Sequence, residues 1–309
     1  MDVKQQEYFA AIVEEGSISK AAKKLYISQP TLSQFLSRLE NTLGVQLIVR
    51  SSNNTLSLTE AGQLFYESSK KILAIRDEFE SKLSDLNGST STNLVIGNNL
   101  SNALVMLNDI VSALSNKYPK LKVTFQHGNP YQLQEMVLNG TLDMGFSSYN
   151  HKLPQLEYLD FPAYEMVLVL HKDHPLAHLG SDDFHSGLAH MPLKNFESEK
   201  FILNRAGSVI GDITREYCSA HNVHLETCIE TYDSNFALTS VGCNLGIGIF
   251  PPDTLDAPGE GFKYIGLDPP LYYNRGLYYN KSTYQTAVSR DYIRMVRRLA
   301  ETNSLFRKL

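Results

Sequence analysis

Cysteine is scarce in this chain of 309 residues: Cys218, Cys228 and Cys243 are too few and too loosely spaced for a disulfide framework or a zinc site. The scarcity fits a reducing compartment, and Cys218 and Cys228 are expected as buried structural thiols. Long apolar runs are missing too. Nothing approaches the ~20 residues of a spanning helix, and the opening Met-Asp-Val-Lys-Gln-Gln-Glu lacks the basic-then-apolar pattern of a signal peptide. A soluble, cytoplasmic protein with no membrane partner is expected. Nor is there an excess of basic charge. The formal net charge of −5 weighs against gripping a polyanion by bulk electrostatics. Residues 1–58 carry six Lys/Arg against five Asp/Glu, whereas residues 91–309 carry 18 against 22, so only the first segment tolerates a phosphate backbone without self-repulsion.

Catalytic fingerprints are absent as well: no Gly-x-Ser-x-Gly, no Gly-x-x-x-x-Gly-Lys-Ser/Thr phosphate loop and no Gly-x-Gly-x-x-Gly opening a helix. Gly246-Ile247-Gly248 lies within a strand and lacks the third glycine. His171 and His174 flank Asp173 and Pro175 without a further ligand set, which makes them turn residues rather than metal ligands. No enzyme, cofactor or metal is expected.

What is present is a globular composition, 42% apolar and 20% charged, at a length suited to two or three domains. Phe9, Ile12 and Val13 follow helical spacing up to Gly16; Ser19 stands where the N-cap of a short helix bearing Ala21, Ala22 and Leu25 belongs. Ser28 caps a third helix, with Pro30 in its first turn and Leu32, Phe35, Leu36 and Leu39 as its apolar stripe. Leu47–Arg50 and Thr55–Thr59 read as a two-stranded wing turning at residues 51–54. A long helix follows, in which Phe65, Ile72, Phe79 and Leu86 recur every seven residues, with Ile75 and Leu83 beside them; such a stripe buries itself best against its own copy. The polar stretch from Asn87 to Thr92 reads as a linker. From Leu94 onward short apolar runs alternate with amphipathic stretches, the pattern of two α/β subdomains, the last strand and helix returning to the first.

Helix, tight turn and a second helix starting Ser28-Gln29-Pro30-Thr31-Leu32-Ser33-Gln34 has the form of a DNA-reading helix-turn-helix. Gln29 and Gln34 offer paired donors and acceptors for adenine edges, Thr31 and Ser33 permit close approach, and Arg38 lies one turn beyond. The helix N-terminus holds a phosphate without any basic side chain.

At these residues the chain resembles the LysR-type transcriptional regulators. The matches run in order through Gly16-Ser17-Ile18-Ser19-Lys20-Ala21-Ala22, Ser28–Ser33, Leu39-Glu40, Leu43-Gly44, Leu47, Arg50 and Leu58-Thr59-Glu60-Ala61-Gly62. The resemblance implies an N-terminal all-α winged helix-turn-helix with a long linker helix, then a C-terminal α/β effector domain of two periplasmic-binding-protein-like subdomains. Its implied bounds are 1–58 for DNA binding, with the helix-turn-helix at about 18–37, and 59–88 for the linker and dimerisation helix. Residues 92–163 with 270–309 would form effector subdomain I, and 164–269 subdomain II. It implies base contacts from Gln29, Pro30, Ser33 and Gln34, backbone contacts from Thr31, Arg38 and Arg50, a dimer through the linker helix and a tetramer on double-stranded DNA. The wing tip is Asn53-Asn54, where family members commonly place basic residues.

Two such subdomains enclose a cleft, and helix N-termini facing it suit an anion. Three candidate termini are Asn98–Ser101, Ala206-Gly207-Ser208 and Asp233-Ser234-Asn235; ordinary caps would look the same. The resemblance places Asn99, Ser101 and Ser208 at the cleft, and Arg205 could pair bidentately with the carboxylate of a small-molecule effector. Where the family's peroxide-sensing branch carries its reactive cysteine, this chain has Ser208. The basic series Arg290, Arg294, Arg297 and Arg298 reads as a solvated helix face, and Tyr264, Tyr272, Tyr273, Tyr278 and Tyr279 as strand packing. The competing reading is an α/β small-molecule-binding protein or enzyme without a regulatory role.

Overall fold

A computed structural model describes residues 2–50, 56–86, 93–99, 103–184, 187–254 and 261–302. Helices α1 (Val3–Glu15), α2 (Ile18–Lys24) and α3 (Gln29–Leu43) come first, then strands β1 (Ile48–Arg50) and β2 (Leu56–Leu58), then the 27-residue helix α4 (Glu60–Leu86). Local chemistry sets these bounds. Asp2 and Gln5 form a capping box on α1, Ser17 caps α2 in place of the expected Ser19, which lies inside the helix, Ser28 caps α3, and Gly16 and Gly44 close α1 and α3 in the left-handed region. Phe9, Ile12, Ala21, Leu32, Leu36 and Leu39 turn inward to a common core.

Phe65 belongs to that core and not to an intermolecular seam, a correction to the heptad reading. The first turns of α4 lie on α1, where the Phe65 ring meets Phe9 edge-on at 5.0 Å between centroids. Lys70 pairs with Glu14 at 2.9 Å and Arg76 with Glu7 across the same junction. Further along, the stripe turns to solvent: Ile75 is 68% and Phe79 63% exposed. The seven-residue period thus serves two faces in succession, and the side chain of Leu86 lies outside the described residues.

Effector subdomain I holds β3 (Asn93–Asn98), α5 (Ala103–Lys117), β4 (Lys122–His127), α6 (Pro130–Leu138), β5 (Met144–Tyr149) and β6 (Leu156–Asp160); the two-residue β7 (Tyr164–Glu165) follows where the chain crosses between the subdomains. Subdomain II holds β8 (Val167–His171), β9 (His190–Met191), β10 (Lys200–Asn204), α7 (Val209–His221), β11 (Glu226–Thr231), α8 (Ser234–Gly242), β12 (Ile247–Phe250) and β13 (Phe262–Leu267). The chain then returns through β14 (Tyr272–Asn280) and α9 (Ala287–Thr302). The first sheet runs β4-β3-β5-β14-β6, with β3 parallel to β4 and β5, and β14 antiparallel to β5 and β6. The second runs β11-β10-β12-β8-β13-β9. Leu94, Ile96, Met144 and Phe146 pack under Ile110 and Leu114 of α5 and Val288, Tyr292 and Val296 of α9; Leu133 and Val137 of α6 cover the other face. Phe201, Leu168 and Ile249 meet Val209, Ile213 and Tyr217 of α7, while Ala237 and Val241 of α8 cover the opposite face.

Cys218 sits half-buried in α7, its thiol pushed up to about 11 by burial, against a smaller downward pull from Arg215. Cys228 departs from the expectation of a buried thiol: β11 is an edge strand, and Cys228 is exposed there.

Helix α4 also touches subdomain I. Gly140, at φ +78°, brings its backbone so close that a Cβ there would stand 2.6 Å from the Ala74 methyl. The Lys82 ammonium lies 5.4 Å from the ring centre of Tyr284. Beneath this contact the Asp143 carboxyl is pushed up to about 6, chiefly by burial; the Val95 N–H, donating at 2.6 Å, opposes that rise and Asp77 adds to it. An acid whose native pKa lies above its unfolded value of 3.8 loses stabilisation as pH rises through that interval. Asp143→Asn keeps an acceptor for Val95 and removes the charge. Its stability advantage over wild type in urea titrations is expected to grow between pH 4 and 6, by about 2–3 kcal/mol, and to stay flat above pH 7. An advantage that does not vary with pH would contradict the assignment.

Candidate functional site

At about 100° per residue, Leu32, Leu36 and Leu39 occupy the inner face of α3 and are buried. The opposite face carries Pro30, Thr31, Gln34 and Arg38, all exposed, while exposed Gln29 and half-buried Ser33 stand on its flank, on the side of Leu36. The amphipathic period therefore brings four of the predicted DNA-contact residues onto one outer face, with Gln29 exposed beside them in the first turn. Ser28 accepts from the Thr31 N–H at 3.3 Å, and their hydroxyls share a hydrogen bond of 2.7 Å. Thr31 is thus tied to the cap. Arg50 ends β1 in register with Leu56; its side chain, like wing-tip residues Asn53 and Asn54, lies outside the described residues.

Two ties set the wing against α3, and spacing alone does not reveal either. The Glu40 carboxylate accepts from the Leu47 N–H at 2.8 Å and the Ile48 N–H at 3.2 Å. Thr59 donates through its hydroxyl to Gln46 O at 2.7 Å and accepts from the Gly62 N–H at 2.9 Å. Gly62 has no alternative here: a Cβ would fall 1.9 Å from Leu47 O. The run Thr59-Glu60-Ala61-Gly62 is therefore a docking device joining wing to linker helix.

Between the effector subdomains lies a cavity of about 640 Å³. Helices α6, α7 and α8 begin at its wall, capped by Asn129, Ser208 and Asp233. Asn99 and Ser208 line it; Arg205 does not, being exposed with its guanidinium 5.4 Å over the Tyr232 ring. Ser101 lies outside the described residues. The Asn99 Oδ1 accepts from the Ser148 N–H at 3.2 Å, which ties this lining residue to β5. The Ser208 hydroxyl donates to Arg205 O at 2.7 Å and accepts from the Gly211 N–H at 3.2 Å, which is capping geometry. Among the described residues neither Lys nor Arg lines the wall, which instead presents helix termini and amides together with His127 and the Asp233 carboxylate.

Ser148, Asn204 and Tyr273 join the wall from distant strands. Asn204 is buried at the end of β10 and donates to the Ser234 hydroxyl at 3.0 Å. Strand ends converging from residues 99, 148, 204 and 273 carry no local motif, which is why sequence reading missed three of them. The lobes are bridged beside the cavity: Asn129 Nδ2 donates to Gly207 O at 3.2 Å, and the Tyr131 hydroxyl to Asp212 at 2.8 Å. Burial, with the Asp212 hydrogen bond next, pushes the Tyr131 hydroxyl far above the ordinary tyrosine range, so it stays a donor. Among the described residues no cluster of three or more His, Cys, Asp or Glu could hold a metal, and no helix is long and apolar enough to cross a membrane.

Comparison with known proteins returns the same two halves. The bacterial regulatory helix-turn-helix domain of the lysR family matches residues 3–63, and the LysR substrate binding domain matches residues 87–301. The HTH-type transcriptional activator CmpR of Synechocystis is 25% identical over 292 residues, 94% of this chain and 92% of that one. A probable RuBisCO transcriptional regulator of Trieres chinensis is 31% identical over 180 residues, so the match spans little more than half of its length, 57%. Full-length CbnR in complex with its target DNA superposes at a TM-score of 0.63 with 20% identity, over 96% of this chain and 99% of that one. Full-length OxyR from Pseudomonas aeruginosa superposes at 0.67 with 17% identity, over 98% and 94%. With a domain match over more than two thirds of its length and a helix-turn-helix match ahead of it, the chain belongs to the LysR family of bacterial transcriptional regulators.

Proposed function

We propose that this chain reads an operator with α3 in the major groove of each half-site. Gln29, Pro30, Ser33 and Gln34 meet base edges, while Thr31, Arg38 and Arg50 meet phosphates. One observation carries this reading: Pro30, Thr31, Gln34 and Arg38 share the solvent face of a capped helix whose other face is core, with Gln29 exposed in its first turn. We further propose working units of 1–58, 59–88, 92–163 with 270–309, and 164–269, a cytoplasmic location, and a dimer built on the exposed part of α4 that pairs again into a tetramer. Selection from a random duplex pool tests the reading. The enriched sequences are expected to contain paired half-sites with centres about 34–36 Å apart, and unpaired or absent enrichment would contradict it.

The cavity between the lobes is the proposed effector site, with Asn99 and Ser208 in contact and Arg205 at the rim. A carboxylate effector would be held by helix N-termini rather than a guanidinium. Effector binding acts by shifting the balance between two arrangements of the oligomer. In a thermal-shift screen of small metabolites against the full-length chain, a ligand at 100 times its Kd stabilises the native state by about 2.7 kcal/mol. Asn99→Ala is expected to abolish most of that shift; an undiminished shift would place the ligand elsewhere.

A further inference from the structure

The turn between α2 and α3 holds a tyrosine in a conformation tyrosine disfavours. Helix α2 ends with the Tyr26 N–H donating to Lys23 O at 3.2 Å and the Ile27 N–H to Ala22 O at 3.0 Å, a Schellman arrangement. That geometry forces Tyr26 into the left-handed region, at φ +55°. At or just past the ends of α1, α3, α7 and α8, the same region is occupied by Gly16, Gly44, Asn222 and Asn244. Glycine and asparagine tolerate it; an aromatic residue is strained there.

The two cap hydrogen bonds and the packing of Ile27 against the helical core hold the backbone in place, but the ring adds nothing to that hold: Tyr26 is 96% exposed. Tyr26 stands two residues ahead of Ser28, the cap of α3, and at most about 10 Å along the chain from Gln29. A strained residue whose whole side chain is left in water points to a contact outside the molecule.

We propose that Tyr26 is a DNA-backbone contact: its hydroxyl donates to a phosphate beside the groove that α3 enters, with the ring against the adjacent sugar. A neutral donor fixes the register of α3 without carrying sequence information, and it adds affinity where cations are few. This inference rests on the placement of α3 proposed above.

The test uses the full-length chain, the duplex enriched from the random pool and a scrambled duplex. In Tyr26→Asn, relief of strain is expected to raise the melting temperature of the N-terminal region by about 4 °C, while affinity falls at least fivefold. Tyr26→Phe keeps the wild-type melting temperature and the ring contact and loses the smaller share, at least twofold, that the hydroxyl supplies. In both variants the loss is equal on the two duplexes, and the slope of log affinity against log salt is unchanged because no charge is removed. Wild-type affinity in either variant overturns the proposal. So does a lower melting temperature in Tyr26→Asn, which would show the fold itself holding the ring, or a loss confined to the enriched duplex, which would indicate a base contact. The α3 placement fails on a different result: Gln29→Ala/Ser33→Ala leaving the ratio between the two duplexes intact.

Discussion

Gln29→Ala/Ser33→Ala is expected to reduce discrimination between the enriched operator and scrambled duplex by about 100-fold or more. A well-aligned base contact contributes about 1–3 kcal/mol of discrimination, and two half-sites double the effect. Gln29 is exposed in the first turn of α3 and Ser33 half-buried on its flank; neither belongs to the hydrophobic core, so the fold is expected to survive. Neither is charged; binding to scrambled duplex and its salt dependence therefore stay at wild-type values. Direct titration at one fixed salt concentration checks this. Preserved discrimination would remove α3 from the groove, whereas equal weakening on both duplexes would mean that the two residues touch only phosphate.

Phe79→Asp is expected to raise the dimer dissociation constant by about 100-fold or more. Phe79 and Ile75 stand one helical turn apart on α4 with their side chains mostly in water. A second copy of α4 would bury them, and a carboxylate at the seam leaves two desolvated like charges facing each other. Because reading two half-sites needs two linked copies of α3, operator affinity should fall in parallel. Phe65→Asp is no equivalent test. It strikes the core against Phe9 and would unfold the winged region. Sedimentation velocity over a concentration series separates the cases: a monomer with wild-type helicity supports the seam, and an unchanged dimer contradicts it.

The N-terminal third is legible because its signals are local. Ser28 with Pro30 starts a helix, Gly44 ends one, and Leu32, Leu36 and Leu39 set its inner face within eight residues. The same locality misled the reading of α4, where Phe65 keeps the seven-residue period yet serves a different neighbour. Periodicity reports that a face is apolar and says nothing of what covers it. The cleft was half legible. Asn99 and Ser208 stand at recognisable strand-to-helix junctions, but Ser148, Asn204 and Tyr273 reach the cavity through strand order, a long-range property. Arg205 shows the limit of reasoning from residue type: a guanidinium beside a candidate anion site turned outward onto Tyr232.

The path of β14 bears on how the chain is made. This strand lies between β5 and β6, so the first lobe's sheet stays split until the ribosome has passed Asn280. The winged region emerges more than two hundred residues earlier, with its core closed by Phe65. A nascent or prematurely terminated chain can thus present α3 long before it has a cleft, and stop codons upstream of Tyr272 should leave fragments able to reach an operator but deaf to any metabolite.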